Sequence, residues 1–210
     1  MIHLASVKAI ALGPFNPHII TPGWLRDTEV IADLPGEFDN FDAGGEPEDI
    51  AFSTADIDWQ VDGRSLSVES EWLGRDCSEY LARVIRLLPH TPIRAVVNEF
   101  YFTASPLEWA DGPLPHIGSR SPTALIDAGL EAVRWAGLFD RRDARAELTL
   151  ESDLKRNGTI GASLRYFRRI RSSKAKDASA EAVLAAAQFL GDLADAKELI
   201  LSVFGHTVMS

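Results

Sequence analysis

The chain is short of the groups that usually announce a chemistry. It has one cysteine, Cys77, in 210 residues, so no disulfide can close within it. A lone thiol fits a reducing compartment, and a cytoplasmic setting is the expectation. The five histidines, His3, His18, His90, His116 and His206, are scattered, and none has a second ligand at zinc-like local spacing. No metal site and no cofactor are read. There is no Gly-x-Ser-x-Gly elbow, no Gly-x-x-x-x-Gly-Lys-Ser/Thr loop and no Gly-x-Gly-x-x-Gly turn. Elbow-type hydrolysis and the common nucleotide loops therefore lack support. Long apolar runs are missing too. The richest, Ala182 to Leu190, is followed by Gly191 and interrupted by Gln188, far short of the roughly 18–20 apolar residues that span a bilayer. The first residues show no basic region followed by an apolar core, so neither a secretory signal nor a membrane partner is expected.

Positive charge is absent locally. Between Asp27 and Asp62 stand twelve acids and no Lys or Arg, out of 31 acids in the chain. The net charge is −10, and without those twelve acids the remainder would carry +2. Farther on, Arg165, Arg168, Arg169, Arg171, Lys174 and Lys176 fall close together with no acid between them. Such asymmetry bears on partners more than on fold.

What is present is enough apolar residue, 46%, to build a core. His3 to Leu12 reads as a strand ended by Gly13 and Pro14. Thr21 before Pro22 resembles an N-cap, predicting a short helix to about Val30. Asp33 to Asp49 reads as an exposed acidic loop pinned by Phe38 and Phe41. Ile50 to Val61 and Arg64 to Trp72 read as two strands around an Asp62-Gly63 hairpin turn with positive φ at both central positions. Ser78 to Leu88 has helical spacing, and Ile93 to Thr103 is a strand. The order β-α-β-β-α-β is that of a ferredoxin-like unit.

After a Pro- and Gly-rich stretch from Ser105 to Arg120, a helix is expected from Ser121, with Leu125, Ile126, Leu130, Val133 and Ala136 as its stripe and Gly137 as its stop. Ala146 to Leu154 and Thr159 to Ile170 read as a hairpin around Asn157-Gly158. Ser179 to Phe204 reads as one long helix capped by Ser179, with Val183, Leu184, Ala187, Leu190, Leu193, Ala194, Ile200, Leu201 and Phe204 on its apolar face. Gly191 within it is expected to allow close packing. The fold class is α+β, mostly antiparallel with helices on one face: a ferredoxin-like first half, 1–105, then an α-ββ-α half, 106–210, as two units or one continuous domain.

Several constellations deserve weighing. His90 sits in a Pro-rich corner and is read as a turn residue. Asp39, Asn40, Asp42, Glu46, Glu48 and Asp49 lack the spacing of a Ca²⁺ loop. Asp56 with Asp58, and Glu69 with Glu71, each share a strand face, more often a wet sheet face than an acid pair. Cys77 lies near a helix start beside Asp76, which opposes thiolate formation. The strongest candidate is the basic segment: Arg165, Tyr166, Phe167, Arg168, Arg169 and Arg171 with Lys174 and Lys176. Such residues grip phosphates and stack bases. They equally suit an acidic protein partner or a second copy, or guard an edge strand against aggregation.

The segment from Leu87 to Phe102 carries a Pro89–Pro92 corner, then a strand with Asn98 before Phe100. It resembles a stretch of an uncharacterised, sporadically distributed bacterial family. The resemblance implies no activity; its distribution hints at mobile or defence-linked genes. The functional expectation is a non-enzymatic interaction protein, an accessory subunit of a bacterial complex, working through its polarised charge. The alternative is single-stranded nucleic-acid binding through 165–171.

Overall fold

A computed structural model describes residues 2–32, 38–43, 50–54, 56–73, 75–104, 132–141, 143–153, 160–204 and 208–209. Within them the chain is mixed α and β, built on one large sheet. The first strand, β1 (Ile2–Leu12), lies near its middle and is paired on both sides. A register shift between Leu4 and Ser6 switches the alternation, so that Ile2, Leu4, Val7, Ala9 and Ala11 are all buried. Gly13 ends the strand at a close approach, where a Cβ would stand 3.2 Å from the Pro92 carbonyl oxygen and the neighbouring backbone would have to give by a few tenths of an ångström.

Helix α1 (Pro22–Asp27) is capped by Thr21, whose Oγ1 accepts from the Trp24 amide at 3.2 Å. It stops short of Val30. The Thr28 hydroxyl takes the Trp24 carbonyl, and Glu29 turns left-handed at φ 60°, which drops Val30 and Ile31 into the core.

The acidic stretch is not all loop. Phe38–Ala43 forms β2, an edge strand paired to β3 (Ile50–Thr54). The expected pinning by Phe38 and Phe41 lies outside the described side chains. Nor is 50–61 one strand. The chain reverses between β3 and β4 (Ile57–Val61), with Thr54 opposite Ile57. Phe52 and Thr54 point inward, as do Ile57, Trp59 and Val61, so the period-2 pattern skips one residue between the groups. At the Asp62-Gly63 turn into β5 (Ser65–Ser70), the Asp62 carboxylate holds the bend by accepting from the Arg64 and Ser65 amides at 2.6 and 2.5 Å. Neither residue has positive φ, so the turn is side-chain-braced rather than the mirror-image type expected.

Helix α2 (Cys77–Leu87) is capped by Asp76 and leads to β6 (Ala95–Ala104). The second half departs more from expectation. Residues 121–131 of the expected helix lie outside the described residues. Its final turns are instead strand β7 (Ala132–Asp140), paired residue for residue with β8 (Arg145–Asp153). Val133, Ala136 and Gly137 fit a helical stripe, while Val133, Trp135, Gly137 and Phe139 recur at the strand period of two, and pairing to β8 decides for the strand. The Asn157-Gly158 turn is also outside the described residues; β9 (Ile160–Arg169) follows.

The long helix is two. Helix α3 (Ala175–Ala186) starts earlier than Ser179, and α4 (Phe189–Phe204) follows a break at 187–188. Ser179 is no cap; its hydroxyl donates to the Ile85 carbonyl at 3.1 Å and ties α3 to α2. The break resets the helical phase. The buried face is Ala182, Ala185, Ala186, Phe189, Ala196, Leu199 and Ile200, while Leu184, Leu190 and Leu201 are exposed. Gly191 has open space around it, so it serves no close packing.

Among the described residues the sheet has ten strands, ordered β2-β3-β4-β5-β1-β6-β9-β8-β7. Every pair is antiparallel except the short β10 (Val208–Met209), which runs parallel to β1. Each half repeats one plan: a long strand, a meander whose last strand returns beside it, then helix. The two long strands, β1 and β6, pair at the centre, and α2 packs on α3. Side chains on one face, including Trp59, Phe100, Phe102 and Tyr166, are buried beneath the helices. The opposite face is open, and Tyr101, Leu138 and Phe167 are exposed there.

Candidate interaction surface

Strand pairing turns scattered sequence charges into rows. One row crosses the open face from Ser53 through Asp58, Glu69, Lys8, Glu99 and Arg165 to Glu147. Lys8 donates to Glu69 at 3.0 Å, Ser6 donates to the other Glu69 oxygen, and Arg165 pairs with Glu99 at 2.9 Å. Ser163 donates to the same Glu99 oxygen at 2.6 Å. The Glu99 hydrogen bond leads in holding the Arg165 guanidinium pKa above its ordinary value, with Glu147 and Glu151 adding to it. The neighbouring row holds Gln60, Ser67, Ile10, Val97, Phe167 and Arg145.

Two shallow grooves result. One, of about 430 Å³, lies between Lys8, Asp58 and Glu69 over β3 to β5. The other, of about 420 Å³, has an apolar floor of Ile10, Leu12, Val97, Leu138 and Phe167, rimmed by Arg145, Glu147 and Arg165. An apolar centre with a mixed-charge rim is the usual make-up of a protein interface.

The basic segment is divided by the pleat of β9. Arg165, Phe167 and Arg169 are exposed on the open side, and Phe167 is 41% exposed. Tyr166 and Arg168 point the other way, under α4. Arg168 is only 8% exposed. It grips Asp192 with two bonds, at 2.5 and 2.6 Å, and reaches Asp143 at 3.2 Å. Burial works against its charge, but Asp192 and Asp143 outweigh that and hold its pKa above the ordinary value. Asn98 donates to Asp192 at 2.8 Å, so the asparagine of the 87–102 segment belongs to this network. Tyr166 donates to Asp195 at 2.5 Å, and Arg141 holds the same oxygen at 2.9 Å. Burial first, then this bond, raises the Tyr166 phenol well above its usual range.

Arg169, Lys174 and Lys176 are exposed and have no side-chain partner among the described residues. Exposed Arg171 lies near Glu181, whose carboxylate accepts from the Arg171 and Ser172 amides at 2.9 and 3.0 Å and is thereby held below its usual pKa. Arg169, Arg171, Lys174 and Lys176 thus stay exposed along the stretch from the end of β9 to the first turn of α3, while Tyr166 and Arg168 are removed from the surface.

The described strands of the acidic segment sit elsewhere. From β2 to β9 is six strand spacings, on the order of 30 Å along the sheet. The ion pairs seen for 165–176 go to Glu99, Asp143 and Asp192, none of them in the 27–62 segment. Asp56 pairs instead with Arg75 at 3.7 Å.

The other candidates stay apart. His90 is exposed in its turn, away from Asp58 and Glu69, which the β4–β5 register sets side by side. Among the described residues no His, Cys, Asp and Glu groups converge as a metal site, and no helix is long and apolar enough to cross a membrane. Cys77 is fully buried, its thiol directed at the Val7 carbonyl, and burial leads in pushing its pKa up to about 12.

Sequence reading missed Asp143, Asp192 and Asp195 as partners of the basic strand. A signal existed: Asp192 and Asp195 are three apart on a helix, hence on one face, next to buried Ala196 and Leu199. Comparison with known proteins yields no match to a family model and none to a curated sequence.

Proposed function

We propose that this chain is a non-enzymatic interaction protein, an accessory subunit of a bacterial complex, that engages an acidic protein partner through the corner formed by Arg169, Arg171, Lys174 and Lys176. The observation that carries this reading is the lack of internal neutralisation among the described residues. Strand β2 of the acidic segment lies six strand spacings from β9, and three of the four cations have no side-chain partner among the described residues. Opposed charge of this kind steers association and fixes orientation more than it adds affinity. The neighbouring apolar groove supports the same reading, because it supplies surface that a partner buries.

Single-stranded nucleic acid is the second reading. It keeps exposed Phe167 and Tyr101 as stacking platforms. It is weakened because Tyr166 and Arg168 face the helices and Arg165 is matched by Glu99. In architecture, we read the first half as a ferredoxin-like unit lengthened at its edge by β2 and β3. Supporting this are the neighbours β4-β5-β1-β6, all antiparallel, with α2 between β5 and β6 in the chain.

Affinity purification from native cells at low and high salt, with and without nuclease, separates the two functions. The proposal expects a protein that survives nuclease, leaves at high salt, and is lost from R169E/K174E. Recovery that collapses on nuclease supports the nucleic-acid reading instead. A protein partner indifferent to both salt and R169E/K174E would overturn the charge-mediated reading.

A further inference from the structure

The two ends of the sheet are differently prepared for solvent. Strand β2 is six residues long, has a register irregularity between Asp39 and Phe41, and carries Asp39 and Asp42 within the acidic segment. Shortness, irregularity and like charge are devices that keep an edge from pairing with another chain. Strand β7 has none of them. It is nine residues long, contains no Pro or Lys, and pairs with β8 without a register shift. Its other edge has no strand among the described residues. Leu138 on it is 58% exposed, and Ala136 and Asp140 are exposed as well.

We infer that two copies of the chain join through β7, antiparallel about a two-fold axis at Gly137, so that one sheet continues into the next. The strand's sequence is self-complementary in that register. Arg134 comes opposite Asp140 of the second copy, Trp135 opposite Phe139, and Ala136 opposite Leu138. Two-fold symmetry makes each pairing occur twice. Opposite charges and aromatic pairs directly across a sheet are both stabilising. An axis at Ala136 sets Arg134 against Leu138, and an axis at Leu138 sets Asp140 against Ala136, so neither matches a charge with its opposite. Leu138 also lines the apolar groove with Ile10, Leu12, Val97 and Phe167. Pairing at β7 brings the two copies' grooves toward each other across the axis, with Leu138 of each at the seam. The inference rests on the edge strand and not on the basic corner, so either can fail alone.

The test is sedimentation velocity on the full chain in low salt from about 1 to 200 µM, a range bracketing weak to moderate association. Concentration-dependent dimer is expected. R134D sets Asp against Asp140 of the other copy at two places, and D140R sets Arg against Arg134; each should weaken the dimer roughly tenfold or more. The double variant R134D/D140R restores opposite charges across the axis and should recover the dimer. Within one copy it does the reverse. Arg134 is paired in register with Glu151 and Asp140 with Arg145, so the double variant puts like charges across both positions. Recovery of the dimer without recovery of the melting temperature therefore identifies the pairing as intermolecular. L138K, which places a lysine on the edge, should also leave the monomer folded and abolish the dimer. A wild-type chain that is monomeric throughout, a dimer untouched by R134D and L138K, or a double variant that fails to re-form it would each overturn the inference.

Discussion

Arg165 and Arg168 stand three residues apart on β9 and lead opposite lives. Arg165 lies on the open face with its guanidinium about half exposed, bonded to Glu99. Arg168 lies under α4, clamped by Asp192 and touching Asp143. Both are one positive charge in a sequence count, yet only the first lies on the open face. Charge density along a strand overstates charge density on either face, because alternate residues are delivered to different environments.

The largest effect should come from Arg168→Ala. It strands Asp192, itself only 5% exposed, with Asn98 as its remaining side-chain partner. Breaking a buried pair from one side costs about 3–5 kcal/mol, so urea denaturation should show a large fall in midpoint. A loss under about 1 kcal/mol would mean that Arg168 is better hydrated than its burial implies. Tyr166→Phe comes next. It removes the bond to Asp195 from a fully buried ring while keeping the packing against Phe100, for about 1–2 kcal/mol. Arg165→Ala should be smallest, about 0–1 kcal/mol, with a dependence on salt that Arg168→Ala lacks. If the two arginine variants proved equal, the contrast between the faces would fail.

Cys77 sharpens the contrast from within the core. Its folded pKa is raised from 9.0 to about 12 by burial, then by Asp76 and Glu69. Below pH 9 the thiol is neutral in both states and costs nothing. As pH rises from 9 towards 12 the unfolded thiol ionises first, so stability is lost across that window. Cys77→Ala should flatten this alkaline loss, and a thiol reagent at pH 8 should react with the native chain far more slowly than with the unfolded one.

Much of the local structure was legible. The cap at Thr21, the α2 stripe and the strands expected at 3–12 and 93–103 follow from periodicity and capping chemistry. Where reading failed, two patterns were compatible with the same residues. At 132–137 the apolar spacing serves helix or strand, and at 187–188 a helical stripe was read across a break. The site was legible only as composition. The basic run was evident, but its division into two buried and six exposed residues followed from the side of β9 that α4 covers.

Local elements are written in the sequence because a cap, a turn or a period acts within a few neighbouring residues. Which charges neutralise one another is not local. Asn98 meets Asp192 across 94 positions, Lys8 meets Glu69 across 61 and Arg168 meets Asp192 across 24. The order of residues by itself determined a core-forming, charge-polarised chain. Strand order and helix placement then decided which of those charges are sealed beneath α4 and which remain on the surface, because only burial sets the dielectric and the partners that each one meets.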